Sequence, residues 1–431
     1  FRVPEKIEKA ACLEICFFDF SADCYRKVQL AEKEREMKLT EETPFFFIYS
    51  VWTKNGEYRE QVKRLVTDYD NYISLKLAGD DAYLSEKMVG YPAELDEVYA
   101  ESFEEQKKEW FSCVGDGIQE CRNTWEHKKW NITDFPEFEL AITIDRPELY
   151  YDFLQKDWTR FCHDYWKNNF LEHHTLSQKR VTRIYIGNQF CHNLFPRKEL
   201  LFQVLEKALE NNLAVTLAFS YIRNHLLEEI DELLQELEVW CQSREKEAGK
   251  DQEEIIVNDW AMPILLQGKP HLKPVLGVLL NKRRKDVRLP YKQGIGNHVD
   301  SLAENNLNCG FYQDYLKNTF DIQRFEFESC GYKVTIPDGH HSLHLPFFQT
   351  NTSQYCTLYA VCRYGDRGKQ KLTENCPRYC NKKVFLYPKH LKMVGRYNSL
   401  FGYDEKILWD EKQLQDYLEQ GIERIVVNVS L

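Results

Sequence analysis

The sequence lacks several features that would indicate a membrane protein, a repeat protein or a common protease. No run of about 18 apolar residues occurs, so no membrane-spanning helix is expected. No internal repeat, low-complexity linker or signal peptide is visible. The Gly-x-Ser-x-Gly elbow of serine hydrolases and the His-Glu-x-x-His motif of zinc proteases are missing, so neither chemistry is expected.

Basic residues are outnumbered by acidic ones. The 431 residues include 57 Lys and Arg against 68 Asp and Glu, a formal net charge of −11. Affinity for a phosphate backbone depends on clustered Lys and Arg, so a broad nucleic-acid-binding surface is not expected. The one basic run, Lys282-Arg283-Arg284-Lys285, is interpreted as a solvated turn after a strand.

Cysteine, in contrast, is abundant. The 14 cysteines are spread over a long chain and do not form the dense pattern of a small disulfide scaffold. This usage indicates a reducing cytoplasm, in an organism that lives with little oxygen.

The most informative cysteines are a group near the C-terminus and one earlier residue. Cys376 and Cys380 are four positions apart, so both thiolates can face one point from a helical turn or tight loop. Cys362 lies fourteen residues before Cys376, and Cys191 ends a stretch that follows an apparent strand. Four thiolates suit either an iron–sulfur cluster or a zinc ion, and the ligands alone do not separate the two.

Strand-like and helix-like segments alternate from about residue 181 onward. This pattern is typical of α/β folds with parallel strands, and its length suits a (β/α)8 TIM-barrel-like domain over residues 179–431. Strands are predicted at 181–186, 213–219, 254–258, 274–280, 325–328, 343–347, 384–387 and 424–429, and helices from Pro196, over 226–240 and over 412–420. Chemistry in such barrels lies at the carboxyl ends of the strands.

Residues 1–178 have a different pattern and are predicted to form a separate, mostly helical domain of unknown role. Helices are predicted within 5–37, 58–77 and 96–128, and strands at 45–51 and 138–144. The boundary is placed in the polar stretch 173–178.

Several segments in this order resemble the peptidase U32 family, most closely its ubiquinone-biosynthesis branch of oxygen-independent hydroxylases. They are Tyr185-Ile-Gly-Asn-Gln-Phe-Cys191, Glu254-Ile-Ile-Val-Asn-Asp-Trp-Ala-Met262, Cys362-Arg-Tyr-Gly-Asp-Arg-Gly368 and Cys376-Pro-Arg-Tyr-Cys380. The resemblance covers about residues 180–431. It implies a barrel-like α/β domain with a [4Fe–4S] cluster, held by one cysteine after the first strand and three later cysteines.

Carried over to this sequence, the resemblance implies Cys191 as the early ligand and Cys362, Cys376 and Cys380 as the late ligands. The interval between Cys362 and Cys376 holds thirteen residues, about one more than the family pattern. Cys356 offers a rival ligand for the place of Cys362.

Two polar residues near apparent strand ends are candidates for the pocket. Asp259 follows the predicted strand 254–258, where it can act as an acid, a base or a hydroxyl ligand, or cap the helix that starts at Trp260. Arg396 can grip a substrate carboxylate through two hydrogen bonds, or pair with an acid on the barrel rim.

The stretch Asp338-Gly-His-His-Ser-Leu-His344 contains three histidines. His340 and His344 are four residues apart, a metal-binding spacing on a helix, but a predicted strand begins nearby. Three interpretations stay open: a metal pair, polar contacts to a substrate or cluster, and a solvated loop.

The resemblance implies a [4Fe–4S] enzyme that performs oxygen-independent hydroxylation or a related redox modification of a small organic substrate. Asp259, His340, His344 and Arg396 would be its pocket residues. One alternative is a non-catalytic iron–sulfur or zinc protein that acts as a subunit of a hetero-oligomer or binds a protein partner. An RNA-base hydroxylase is a further alternative, and a protease has the least support.

Overall fold

The computed structural model describes residues 2–3, 6–7, 12–19, 24–43, 47–70, 72–79, 84–92, 102–124, 132–248, 252–287, 303–369, 371–373, 375–387 and 392–429. The chain divides into two compact units. The first comprises residues 1–75, 85–98 and 288–297, and the second comprises residues 76–84, 99–287 and 298–431.

The N-terminal part of the chain contains mainly strands. Its elements are β1 (Arg2–Val3), β2 (Cys12–Asp19), β3 (Cys24–Ala31), β4 (Arg35–Glu42), β5 (Phe47–Thr53), α1 (Gly56–Asp70), β6 (Tyr72–Gly79) and β7 (Leu84–Pro92). Strand β2 pairs with β3, and β5 pairs with both β1 and β4, all antiparallel.

The expectation of a mostly helical N-terminal domain is wrong for these described elements. The charged stretch within 5–37 was assigned to helices, whereas it contains β2, β3 and the start of β4. In β4 the half-buried Met37 and Leu39 alternate with the exposed Glu36 and Lys38. A period of two places all apolar side chains on one face of a strand, and this alternation outweighs the helical preference of Glu and Lys.

The second unit holds alternating strands and helices. They are α2 (Phe103–Thr124), β8 (Glu139–Ile144), α3 (Pro147–Gln155), α4 (Trp158–Asn168), β9 (Arg183–Gly187), α5 (Lys198–Glu210), β10 (Ala214–Ala218), α6 (Leu227–Ala248), β11 (Glu253–Val257), α7 (Ala261–Leu265), β12 (Leu272–Leu276), α8 (Gly310–Phe320), β13 (Glu326–Glu328), β14 (His341–Leu345), β15 (Phe347–Thr352), α9 (Thr357–Tyr364), β16 (Lys383–Leu386), β17 (Met393–Arg396), β18 (Ser399–Tyr403), α10 (Glu411–Glu419) and β19 (Ile422–Val427). No helix within the described ranges has an apolar stretch long enough to cross a bilayer.

Eight of these strands form one parallel sheet in chain order: β8, β9, β10, β11, β12, β13, β14 and β19. The last strand, β19, pairs with the first, β8. Between β12 and β13, Leu276 forms a parallel bridge with Phe325 and donates its N–H to the Arg324 carbonyl at 3.0 Å. The sheet therefore closes on itself, and the expected α/β class and TIM-barrel-like sheet are confirmed.

The first barrel strand lies earlier in the chain than expected. Strand β8 pairs with both β9 and β19, so the segment around 139–144 belongs to the barrel. The boundary placed at 173–178 falls inside the second unit and is corrected accordingly. As a consequence, Cys191 follows the second barrel strand, β9, and not the first.

An insertion separates the last two barrel strands. After β14, the chain forms the antiparallel strands β15, β16, β17 and β18 together with helix α9, before α10 leads back to β19. Strand β18 pairs with β15 and β17, and β17 pairs with β16. This insertion carries Cys356, Cys362, Cys376 and Cys380.

The barrel interior contains a buried ionic network. Arg424 contacts Glu139 Oε2 at 2.6 Å and Glu254 Oε2 at 2.7 Å, and its side chain is only 2% exposed. Arg183 contacts Glu139 Oε1 at 2.9 Å. Burial acts to raise the pKa of Glu254, but the guanidinium groups of Arg424 and Arg183 lower that pKa to about 2. These carboxylates are therefore ionised inside the barrel.

A candidate cofactor site lined by four thiols

The loop after β9 places Cys191 at the carboxyl end of the barrel. Strand β9 ends at Gly187, which has a φ of 107°, and a Cβ at this position would lie 2.6 Å from the Ala218 carbonyl oxygen. Only glycine fits there. The Asn188 Oδ1 atom then accepts hydrogen bonds from the N–H groups of Phe190 and Cys191, both at 2.9 Å, which turns the chain.

The insertion positions two further thiols through backbone contacts. Cys356 is the N-cap of α9, where its sulfur accepts the Tyr359 N–H at 3.3 Å and its thiol donates to the Tyr397 carbonyl at 3.0 Å. The Cys380 carbonyl accepts two hydrogen bonds from Arg396, from Nε at 3.2 Å and Nη2 at 3.0 Å. Arg396 thus fixes the backbone of the turn that carries Cys380.

Four thiols line one small cavity of about 20 Å³. The lining residues are Cys191, Cys356, Cys376, Cys380, His192, Asn193, Leu194, Tyr221, Arg223, Thr373, Tyr397 and Asn398. Burial raises the pKa of Cys191 to about 11 and that of Cys380 to about 12, and the neighbouring thiols raise both further. Burial also raises the pKa of Cys356 well above its usual range.

Cys356, and not Cys362, completes this group. Cys362 lies on α9, six residues after Cys356. Six helical residues turn through about 600° and advance about 9 Å, so the two side chains lie on different faces of the helix. Cys191, Cys376 and Cys380 line one cavity, and Cys356 lines it where the sequence placed Cys362.

The four thiols share a cavity without converging on a single ion. In the part of the chain that the structure describes, no group of three or more His, Cys, Asp or Glu side chains is arranged to hold a metal ion.

Three other side chains present unpartnered polar atoms around the same cavity. Within the described residues, Arg223 Nε and Nη1, His192 Nδ1 and Thr373 Oγ1 are buried without a hydrogen-bond partner. The third nitrogen of Arg223, Nη2, donates to the Gln354 carbonyl. Burial, with the charges of Arg223 and His225, lowers the pKa of His192 to about 4, so its ring is neutral. Buried polar atoms normally have partners, so the cavity has donors available for a bound group.

A larger cavity of about 420 Å³ lies at the barrel mouth. It is lined by Tyr221, Asn258, Val278, Leu279, Leu280, Asn281, Lys282, Arg283, Lys285, Gln349, Thr350, Thr352, Ser353 and Gln354. Three of these side chains are cationic, and none of the described lining residues is an acid.

The basic run at 282–285 is therefore not a simple solvated turn. The side chain of Lys285 is only 7% exposed and forms an ion pair with Glu328. Arg283 donates from Nη1 to the Cys330 sulfur at 2.9 Å. Two of the four basic residues point into the protein because buried acceptors compensate their charge.

Tyr221 lines both the thiol cavity and the mouth cavity. Its hydroxyl accepts hydrogen bonds from Asn398 Nδ2 at 3.2 Å and Arg223 Nη2 at 3.4 Å, and donates to the Gln354 carbonyl at 3.1 Å. A third cavity, of about 710 Å³, shares Tyr221 and Cys376 with the thiol cavity. The thiols therefore adjoin spaces large enough for small molecules.

Two predicted pocket residues have structural contacts instead. The Asp259 Oδ1 atom accepts the Ala261 N–H at 2.8 Å, which is the capping interaction considered from the sequence. Its neighbour Asn258 lines the mouth cavity. Arg396 binds the Cys380 carbonyl, and neither it nor Asp259 lines any of the cavities described above.

The two predicted histidines lie far apart along β14. His340 precedes the strand, its side chain is 73% exposed, and it pairs with Glu423. His344 is near the carboxyl end of the strand and is buried, with Nε2 at 2.5 Å from Glu326 Oε2. The structure therefore does not bring them together as a metal pair, and only His344 lies inside the barrel.

Sequence reasoning missed Tyr221, Arg223, Thr373 and Asn398. Tyr221 and Arg223 follow β10 at the same end of the barrel as Cys191 follows β9. Their position after a barrel strand was a usable signal. Thr373 and Asn398 had no comparable signal, because their place depends on how the insertion folds.

No family model, curated protein or solved structure matches this chain. The likeness to the peptidase U32 family rests on the sequence segments quoted above.

Proposed function

We propose that Cys191, Cys356, Cys376 and Cys380 hold an iron–sulfur cluster, and that the protein is a redox enzyme acting on a small organic molecule. The observation that carries this proposal is that four thiols from three separate segments line one cavity. The cavity lies at the carboxyl ends of the barrel strands, where barrel enzymes place their chemistry. Thiolates are the usual ligands of such clusters.

The unpartnered donors around the cavity also suit this group. Arg223 and Thr373 present buried N–H and O–H groups that have no acceptor among the described residues. The sulfide and thiolate sulfurs of a bound cluster accept hydrogen bonds, which are one of the means by which proteins set its potential. The donor set of the cavity therefore fits an iron–sulfur cluster.

The surroundings of the thiols favour a catalytic role over a structural one. A structural metal site is closed, whereas a catalytic site has an open side next to a pocket. Tyr221 and Cys376 each line the thiol cavity and a larger neighbouring cavity. A bound cluster would supply electrons or polarise an oxygen atom. The resemblance favours oxygen-independent hydroxylation, in which the protein orients the substrate and excludes water.

The mouth cavity is the proposed substrate pocket. Its volume of about 420 Å³ lies in the range that small organic ligands occupy in proteins. Lys282 lines it with an exposed ammonium group, whereas Lys285 pairs with Glu328 and Arg283 donates to the Glu328 carbonyl, and no described lining residue is an acid. The substrate is therefore inferred to carry an anionic group.

Anaerobic purification followed by iron, sulfide and zinc analysis tests the cluster. We expect iron and sulfide in equal amounts, about four of each per chain, with an absorption band near 400 nm. Cys376→Ala and Cys380→Ala should lose both, while Cys309→Ala, which removes an exposed thiol outside the cavity, should keep both.

A different metal content would contradict the proposal. One zinc per chain without sulfide would exclude the redox function. The protein would then be better described as a zinc-containing module that binds a partner protein.

A further inference from the structure

Arg223 is the only cationic side chain among the described residues that line the thiol cavity. Its guanidinium is held from one side, because Nη2 donates to the Gln354 carbonyl and to the Tyr221 hydroxyl. Among the residues that the structure describes, the buried Nε and Nη1 atoms have no hydrogen-bond partner. Arg223 as a whole is half-buried, but two buried nitrogens without an acceptor are costly unless an acceptor occupies the cavity.

We infer that Arg223 is a positioning residue that raises the reduction potential of the bound cluster by donating the N–H groups of Nε and Nη1 to sulfur. The inference rests on the proposed function. It goes beyond that function, since it assigns control of the cluster's potential to a residue that is not a ligand.

Arg223 is expected to raise the reduction potential because its side chain is positively charged. Four thiolates bring four negative charges into a small and largely buried cavity. One-electron reduction by an external reductant such as dithionite would make the site one unit more negative. A guanidinium that cannot lose its proton stabilises this added charge more than it stabilises the oxidised form. The hydroxyl of Thr373 offers a second donor that acts in the same direction.

A redox titration with dithionite under anaerobic conditions tests this role. In Arg223→Gln, we expect the ratio of reduced to oxidised cluster at a given potential to fall about tenfold, which is about 59 mV for a one-electron couple. Arg223→Lys keeps the charge and should lie between Arg223→Gln and the wild type. Arg363→Gln, which removes an exposed charge from the same insertion, should match the wild type.

Thr373→Val gives a second test that is independent of the arginine. Valine has nearly the shape of threonine but no hydroxyl, so the chain should fold and retain iron, with a smaller shift in the same direction. Far-UV circular dichroism of each variant checks the fold. If Arg223→Gln folds but loses iron while Arg223→Lys retains it, the requirement for the positive charge is supported.

Different results would contradict the proposed function and the role of Arg223. A wild-type protein without iron and sulfide would contradict the proposed function itself. A wild-type protein with the cluster, together with an unchanged potential in Arg223→Gln, would overturn the role of Arg223 and leave the cluster assignment intact.

Discussion

The side-chain amide of Asn398 donates a hydrogen bond to the Tyr221 hydroxyl at 3.2 Å, in the wall shared by the thiol cavity and the mouth cavity. The same nitrogen lies 2.9 Å from the Phe190 carbonyl oxygen and 2.6 Å from that of Ser353, so its two N–H groups are shared among three acceptors. One buried amide therefore connects the loop that carries Cys191 to the insertion that carries the other thiols.

Asn398→Asp should lower the free energy of unfolding by about 2 kcal/mol, because a carboxylate cannot donate to two buried carbonyls. Tyr221→Phe removes only the hydroxyl and should cost less. Urea denaturation of the three proteins measures both changes. Equal stability of Asn398→Asp and the wild type would show that the amide does not hold the loops together.

The choice between Cys356 and Cys362 has a direct test. Cys356→Ala should lose iron and sulfide, since this thiol lines the cavity. Cys362→Ala should retain both and is the matched control, because it removes a thiol six residues away on the same helix. The reverse result would restore the ligand set that the family pattern implied.

Asp404 should make stability depend on pH. Burial raises the pKa of this carboxyl to about 6, above its ordinary value of 3.8. The stabilisation from the protonated form is complete below the ordinary pKa and is lost as the pH rises through about 6. Asp404→Asn should match the wild type near pH 4 and exceed its free energy of unfolding by about 3 kcal/mol at pH 7.5. A constant difference across this range would exclude Asp404 as the titrating group.

Removal of Arg424 should be strongly destabilising. Arg424→Met leaves Glu139 and Glu254 without their principal partner inside the barrel, at an expected cost of about 3–5 kcal/mol. Arg160→Met is the control, because Arg160 is 70% exposed and pairs with Asp164 at 3.7 Å, a contact worth less than about 1 kcal/mol. Thermal and urea unfolding should separate the two variants clearly.

The mouth cavity should bind small organic anions. Lys282→Gln removes an exposed cation from its lining and should weaken the binding of small organic acids several-fold. Lys406→Gln removes an exposed cation that pairs with Asp410 and should have no effect. Calorimetry with a panel of aromatic mono- and dicarboxylic acids measures the affinities. Identical affinities in both variants would place the substrate elsewhere.

The positions of most strands and helices in the barrel could be predicted from the sequence. The buried strands near 183–187, 214–218 and 253–257 are short apolar runs, and the helices between them have apolar residues at helical spacing. In the N-terminal part, the many charged residues favoured a helix prediction that was wrong. In β4 they alternate with apolar residues at the period of a strand. Local pattern identified β8 as a strand but did not assign it to the barrel, because its partner β19 lies far away in the sequence.

What the sequence determined by itself was the barrel class, the set of available thiols and the end of the barrel where chemistry is expected. These follow from periodicity and residue type, which are local properties. Only the tertiary structure decided that Cys356 and Arg223 line the thiol cavity, and that Asp259 and Arg396 hydrogen-bond to the backbone. Those assignments depend on which side of a helix or loop meets a distant segment, and no local pattern specifies that meeting.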